Sequence, residues 1–144
     1  MPKYQPGQRL TLRGHLGYTP KLRHTDDGTP VTDFSLAVAQ GHKENDEWVE
    51  DEPIWYKVTA WRKDAQQAVK NLKVGNRVMV AGKFKGESPW KTDGGEHRLD
   101  LLVDADEIAA SIKFNDVSIQ PAERSVGRGA DSSTADGSGV GASI

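Results

Sequence analysis

Trp55, Lys57, Thr59 and Trp61 occupy alternate positions of one run, Ile-Trp-Tyr-Lys-Val-Thr-Ala-Trp-Arg-Lys at 54–63. The run is β-branched and aromatic, which predicts a strand. Successive strand side chains point to opposite faces. Ile54, Tyr56, Val58 and Ala60 then form a core face, and the two tryptophans share the other with a lysine. A surface that is aromatic and cationic suits a flat, anionic ligand. Unpaired nucleic-acid bases on a phosphate backbone fit that description, and stacking on an aromatic contributes about 1–3 kcal/mol per base. The same face would also serve as a hydrophobic surface packed against another subunit.

Further residues belong to the same chemistry. Trp90 and Lys91 lie among Pro, Thr and Gly, where burial in a core is not expected. Lys43, Lys57, Arg62, Lys63, Lys83, Lys85 and Lys91 are candidate phosphate contacts. As a set they predict salt-dependent binding, because each phosphate contact releases condensed counterions. Trp48 sits in an acidic segment that disfavours phosphate, so it is expected to anchor a loop or an interface.

Other chemistries find little support. The chain has no cysteine, hence no disulfide or thiolate site. The four histidines (His15, His24, His42, His97) are dispersed without ligand spacing, so no metal site is expected. Asp104, Asp106 and Glu107 suit a solvated strand end better than a magnesium site. No phosphate-cradling glycine loop with a following Lys-Ser/Thr and no nucleophile–base pair stands out. The expectation is a non-enzyme without cofactors. No signal peptide or membrane span is predicted, which points to a cytoplasmic protein.

The net charge of -2 does not advertise a partner for polyanions, but its distribution does. Residues 44–52 hold six acids and no base. Residues 1–113 carry 17 Lys+Arg and 17 Asp+Glu, and without the acidic segment 17 against 11. One acidic loop can therefore leave a basic face elsewhere.

The elements that must position these residues follow in order. Alternation predicts strands over 8–16, 31–40, 54–63, 76–85 and 98–108. Asp64 is expected to cap a helix with Ala65, Ala68, Val69 and Leu72 on one face, ended by Gly75. Residues 41–53 are expected as a long polar loop and 86–97 as a hairpin loop. Gly14 and Gly17 suggest close backbone approach. The Gly/Ser-rich composition beyond about residue 114 predicts a disordered tail. This gives a domain over 1–113 and a tail over 114–144. The domain is all-β, with one helix between the third and fourth of five strands. That order is the order of the OB-fold, a five-stranded, partly open barrel whose middle strands and 1–2 and 4–5 loops bind oligonucleotides.

With these elements in place, the sequence resembles the bacterial-type single-stranded DNA-binding proteins over about residues 8–110. Gly14-His15-Leu16-Gly17 followed by Pro20, Leu22 and Arg23 is similar to the family's Gly-Asn-Leu-Gly-x-x-Pro-x-x-Arg opening. Residues 28–38, Trp55-Tyr56-Lys57-Val58-Thr59-Ala60-Trp61-Arg62-Lys63, and residues 72–83 resemble its second strand, its third strand, and its helix end with fourth strand. The resemblance implies a homotetramer that wraps single-stranded DNA without sequence specificity in replication, recombination and repair. It places stacking aromatics at Trp55, Trp61 and Trp90, and His42 where the family carries a tryptophan. Arg62 replaces the usual glycine, and Arg13 stands where an apolar residue is common. Family members usually end in an acidic tip with Pro-Phe that recruits replication and repair proteins. This chain ends Gly-Val-Gly-Ala-Ser-Ile, so recruitment by that route is expected to be weak or absent. An OB-fold adaptor of the primosome type, with its aromatic face turned toward a protein, is the competing expectation.

Overall fold

The computed structural model describes residues 3–121. Six strands and one helix follow in the order β1 (Arg9–Leu16), β2 (Arg23–His24), β3 (Pro30–Glu44), β4 (Glu47–Trp61), α1 (Lys63–Asn71), β5 (Arg77–Lys91) and β6 (His97–Ala110). The five long strands close on themselves. β1 pairs antiparallel with β5, β5 with β6, and β3 with β4; β6 runs parallel to β4. The pairs His15↔Ala37 and Leu16↔Leu36 join β1 to β3 and complete the ring. The two-residue β2 adds to the free edge of β3 opposite Val31 and Pro30. This is the OB-fold barrel with its helix between the third and fourth long strands.

Alternation explains the core. Leu12, Leu16, Phe34, Leu36, Tyr56, Val58, Val78, Val80, Phe84, Leu101 and Val103 meet inside the barrel, and all are buried. Leu10, Val38, Ile54 and Leu99 share the inward parity but are only partly buried. Tyr4 closes part of this core with its ring 5.2 Å from Phe84 and its hydroxyl 3.0 Å from that of Tyr56.

Closure demands close backbone approach at two glycines. A Cβ on Gly14 would fall against the carbonyl oxygen of Ala37, and one on Gly82 against that of Asp104. Both obstacles are main chain and cannot rotate aside.

Three expectations need correction. Residues 41–53 are no loop. They continue β3 and β4 as a paired arm, turned by Asn45 and Asp46 at φ 51° and 66°. Asn and Asp tolerate positive φ, which a two-residue hairpin turn requires. The polar composition hid the arm because its ladder is held by main-chain hydrogen bonds and needs no apolar face. Likewise β5 and β6 extend to Lys91 and His97, leaving only a short turn in which Gly95 takes φ 85°. Finally, the helix is not capped by Asp64. Arg62 stands at the N-cap with φ 57° and ψ -124° and no capping side chain, while Asp64 lies in the first turn, where its charge suits the helix dipole. The Arg62 amide instead donates to the Pro30 carbonyl at 2.8 Å, tying the helix start to β3. The helix ends at Asn71, and Gly75 at φ 87° serves the turn into β5.

The last strand ends at Ala110. Asn115 then fastens the following segment, donating from its amide to the Arg77 and Ser111 carbonyls at 2.8 and 2.6 Å. Most of the tail expected over 114–144, namely 122–144, lies outside the described residues.

Gly82→Ala is expected to lower stability by about 1–3 kcal/mol in a urea melt, because the methyl group must displace main chain. Gly94→Ala, whose Cβ would meet only Thr92 Oγ1 at 3.8 Å, is expected to stay within about 0.5 kcal/mol of the parent.

Candidate nucleic-acid interface

The outward row of β4 is Trp55, Lys57, Thr59 and Trp61, behind which Tyr56, Val58 and Ala60 are buried. Register extends the row sideways. Ala37, Ser35 and Asp33 of β3 stand beside Trp55, Lys57 and Thr59. Leu102 and Asp104 of β6 stand beside Lys57 and Thr59 on the other side. The small residues of β3 leave space that the chain itself uses. A Cβ on Gly17 would come within 2.7 Å of Ser35 Oγ and 2.9 Å of the Trp55 ring, so Trp55 lies over bare backbone.

Trp90 reaches this face through an irregularity. Even-numbered residues of β5 up to Phe84 point inward, which would bury Trp90 if the strand were regular. The register shifts between Phe84 and Gly86. Beyond that bulge Gly86, Ser88 and Trp90 pair with Leu102, Asp100 and Arg98, on the face that Lys57 occupies. Trp61 is 39% and Trp90 46% exposed.

Trp61 also shares a shallow cleft with Lys83, Lys85, Asp104 and Asp106. The acids there are already paired: Lys85 with Asp104 at 3.5 Å, Arg9 with Asp106 at 2.7 Å. Among the described residues Lys43, Lys57, Arg62, Lys83 and Lys91 form no ion pair. Lys63 lines a separate groove beside α1. His42 and Lys43 belong to the arm. His42 sits between carboxylates, Nδ1 3.0 Å from Asp51 and Nε2 3.8 Å from Glu44. Lys43 faces Trp48, whose ring lies across Gly41 where a Cβ would collide with it. The structure thus gathers Trp55, Lys57, Trp61 and Trp90 on one barrel face with Lys83 and Lys85 at its edge, and sets His42 and Lys43 on the acidic arm. Among the described residues no group of three or more His, Cys, Asp or Glu is placed to hold a metal.

Comparison with known proteins gives this face a family. Residues 8–111 match the single-strand binding protein family. The chain belongs to that family. A single-stranded DNA-binding protein of Mycobacterium tuberculosis is 32% identical over 125 residues, 85% of this chain and 76% of that protein. One from Paenarthrobacter aurescens is 29% identical over 84% of this chain and 71% of its own length. Among solved structures, the small single-stranded DNA-binding protein of Streptomyces coelicolor superposes with a TM-score of 0.63 at 26% identity. That match covers 76% of this chain and 98% of the other.

In this member of the single-strand binding protein family, Tyr18 is a surface aromatic that its local sequence does not single out. Tyr18 follows Gly17, is 43% exposed, and donates its hydroxyl to Asp33 Oδ1 at 3.2 Å. Arg23 donates to the other oxygen of Asp33 at 2.6 Å. A tyrosine between a glycine and Thr-Pro signals only a turn; its partner Asp33 is 15 residues away, and nothing local announces the contact.

Two expectations follow. Arg62→Gly is expected to stabilise the fold by about 1 kcal/mol. It removes a positive-φ strain of roughly 1–3 kcal/mol and adds about 0.5–1 kcal/mol of chain entropy; thermal melts of the two proteins check this. The Tyr18 phenol is pushed up to about 12, first by partial burial and then by the Asp33 carboxylate, with Asp100 adding and Arg23 opposing. The folded state therefore favours the neutral phenol. Its contribution to stability is complete below the unfolded tyrosine value of about 10 and disappears as pH rises through about 12. An alkaline absorbance titration of the parent minus Tyr18→Phe is expected to show that late-ionising group.

Proposed function

We propose that this chain binds single-stranded DNA without sequence specificity and without catalysis, shielding exposed strands during replication, recombination and repair. The observation that carries the reading is the outward row of β4. Two tryptophans flank a lysine and a threonine on a rigid barrel face, with Trp90 brought to the same face by the β5 bulge. Bases stack on Trp55, Trp61 and Trp90, since every base offers a π-face and stacking is indifferent to sequence. Lys57, Lys83, Lys85 and Lys91, with Arg62, supply the phosphate contacts. Membership of the single-strand binding protein family and the names of its relatives support this reading. The family resemblance also carries the homotetramer, for which sedimentation of the full chain is the check.

Titration of tryptophan fluorescence with a long oligothymidine is expected to quench strongly and saturate, with far less quenching by the matching duplex. Trp55→Ala with Trp61→Ala is expected to weaken binding by more than about tenfold at matched salt, two stacked bases being at stake. Lys83→Ala with Lys85→Ala is expected to reduce the log–log salt slope by about 1.4, since each phosphate neutralised on a single strand accounts for about 0.7. Unchanged affinity in the tryptophan pair removes the assigned face.

A further inference from the structure

We infer that Tyr18 is a further base-stacking platform on this face, set between Trp55 and Trp61 and held there by Asp33 and Arg23. The inference rests on the single-stranded DNA reading and adds to it a residue from outside β4. Trp55 and Trp61 lie six residues apart on one strand, which at about 3.3 Å per residue leaves roughly 20 Å of β4 without an aromatic ring on its outward side. Lys57 and Thr59 occupy that interval. Tyr18 stands beside it, on the β3 side. Its chain neighbour Gly17 donates its amide to the Ser35 carbonyl at 2.8 Å and lies under the Trp55 ring. Ser35 is in register with Lys57. At the other end the Tyr18 hydroxyl reaches Asp33, which is in register with Thr59. The side chain is therefore fixed at both ends over β3, its root next to Ser35 and its tip at Asp33, on the strand that flanks Lys57 and Thr59.

Its surroundings fit a platform rather than a packing residue. A tyrosine kept for packing would be covered, whereas this one is 43% exposed. Its polar end is occupied by Asp33, so the exposed part of the side chain need not supply a hydrogen bond. Asp33 alone would repel a phosphate backbone passing over the row. The Arg23 guanidinium at 2.6 Å offsets that charge, so the carboxylate orients the phenol without opposing the ligand. Anchorage at both ends also means that little rotamer freedom remains to be given up when a base settles on the ring.

The test uses the full-length protein and an oligothymidine titrated across a salt series. Tyr18→Ala is expected to bind about tenfold more weakly at every salt concentration, with the slope against salt unchanged, because a neutral ring releases no counterions. Tyr18→Phe keeps the ring and is expected to stay within about threefold of the parent. Photo-crosslinking of an iodouracil-substituted oligonucleotide is expected to tag Tyr18 in the folded parent, which keeps the inference testable if the alanine variant folds poorly. Parent-like affinity of Tyr18→Ala, equal losses in the alanine and phenylalanine variants, or crosslinks confined to other residues would overturn it. If the Trp55/Trp61 pair also binds like the parent, the nucleic-acid face itself is wrong; if that pair fails and Tyr18→Ala does not, only the role of Tyr18 is.

Discussion

Closure of the barrel at β1 is the constraint from which the rest follows. β1 must pair with β5 along seven residue pairs and still reach β3 at its far end. It can do both only because Gly14 lets its backbone pass the Ala37 carbonyl where no side chain would fit. With the ring closed, the inward parity of every long strand is committed to one core. The outward parity of β4 then has no partner inside the barrel. An aromatic surface that would otherwise be a folding liability is held rigid by the ladders on both sides of it. That rigidity suits the proposed stacking, because a ring already fixed in place gives up little freedom when a base covers it.

Pairing of charges refines that face. Asp33, Asp104 and Asp106 could each repel a polyanion, and each has a basic partner: Arg23, Lys85 and Arg9. With both acids of the Trp61 cleft neutralised in this way, Lys83 adds charge that nothing there offsets. A chain of slightly negative total charge thus keeps an uncompensated lysine at the Trp61 cleft, which the net figure alone conceals.

The residues legible in sequence were those governed by alternation. The core of every long strand and the outward row of β4 follow from period two, and the strand order implied the barrel. What could not be read depends on contacts without local signature. The arm of β3 and β4 is polar almost throughout, so its ladder leaves no hydrophobic trace. The composition around Trp90 marked it as a surface residue, but the bulge that turns it outward, with one residue of β5 left unpaired, has no such trace. The helix start at Arg62 is dictated by a hydrogen bond to Pro30, 32 positions earlier in the chain, which overrode the better local cap at Asp64. Tyr18 gained its place from Asp33, which no local pattern around either residue foretells.

The β4 strand also separates charge along its own length. Its first residues, Glu47, Glu50, Asp51 and Glu52, belong to the acidic arm, and its last, Trp61, borders the Lys83 and Lys85 cleft. About nine to fourteen steps of about 3.3 Å put these acids roughly 30–45 Å from Trp61 along the strand. Charge therefore changes along β4, from the acidic arm at its start to the lysines beside its end. In the field of a long polyanion such a body turns before it touches, basic end first. The acidic arm then acts as a rudder that biases which end arrives.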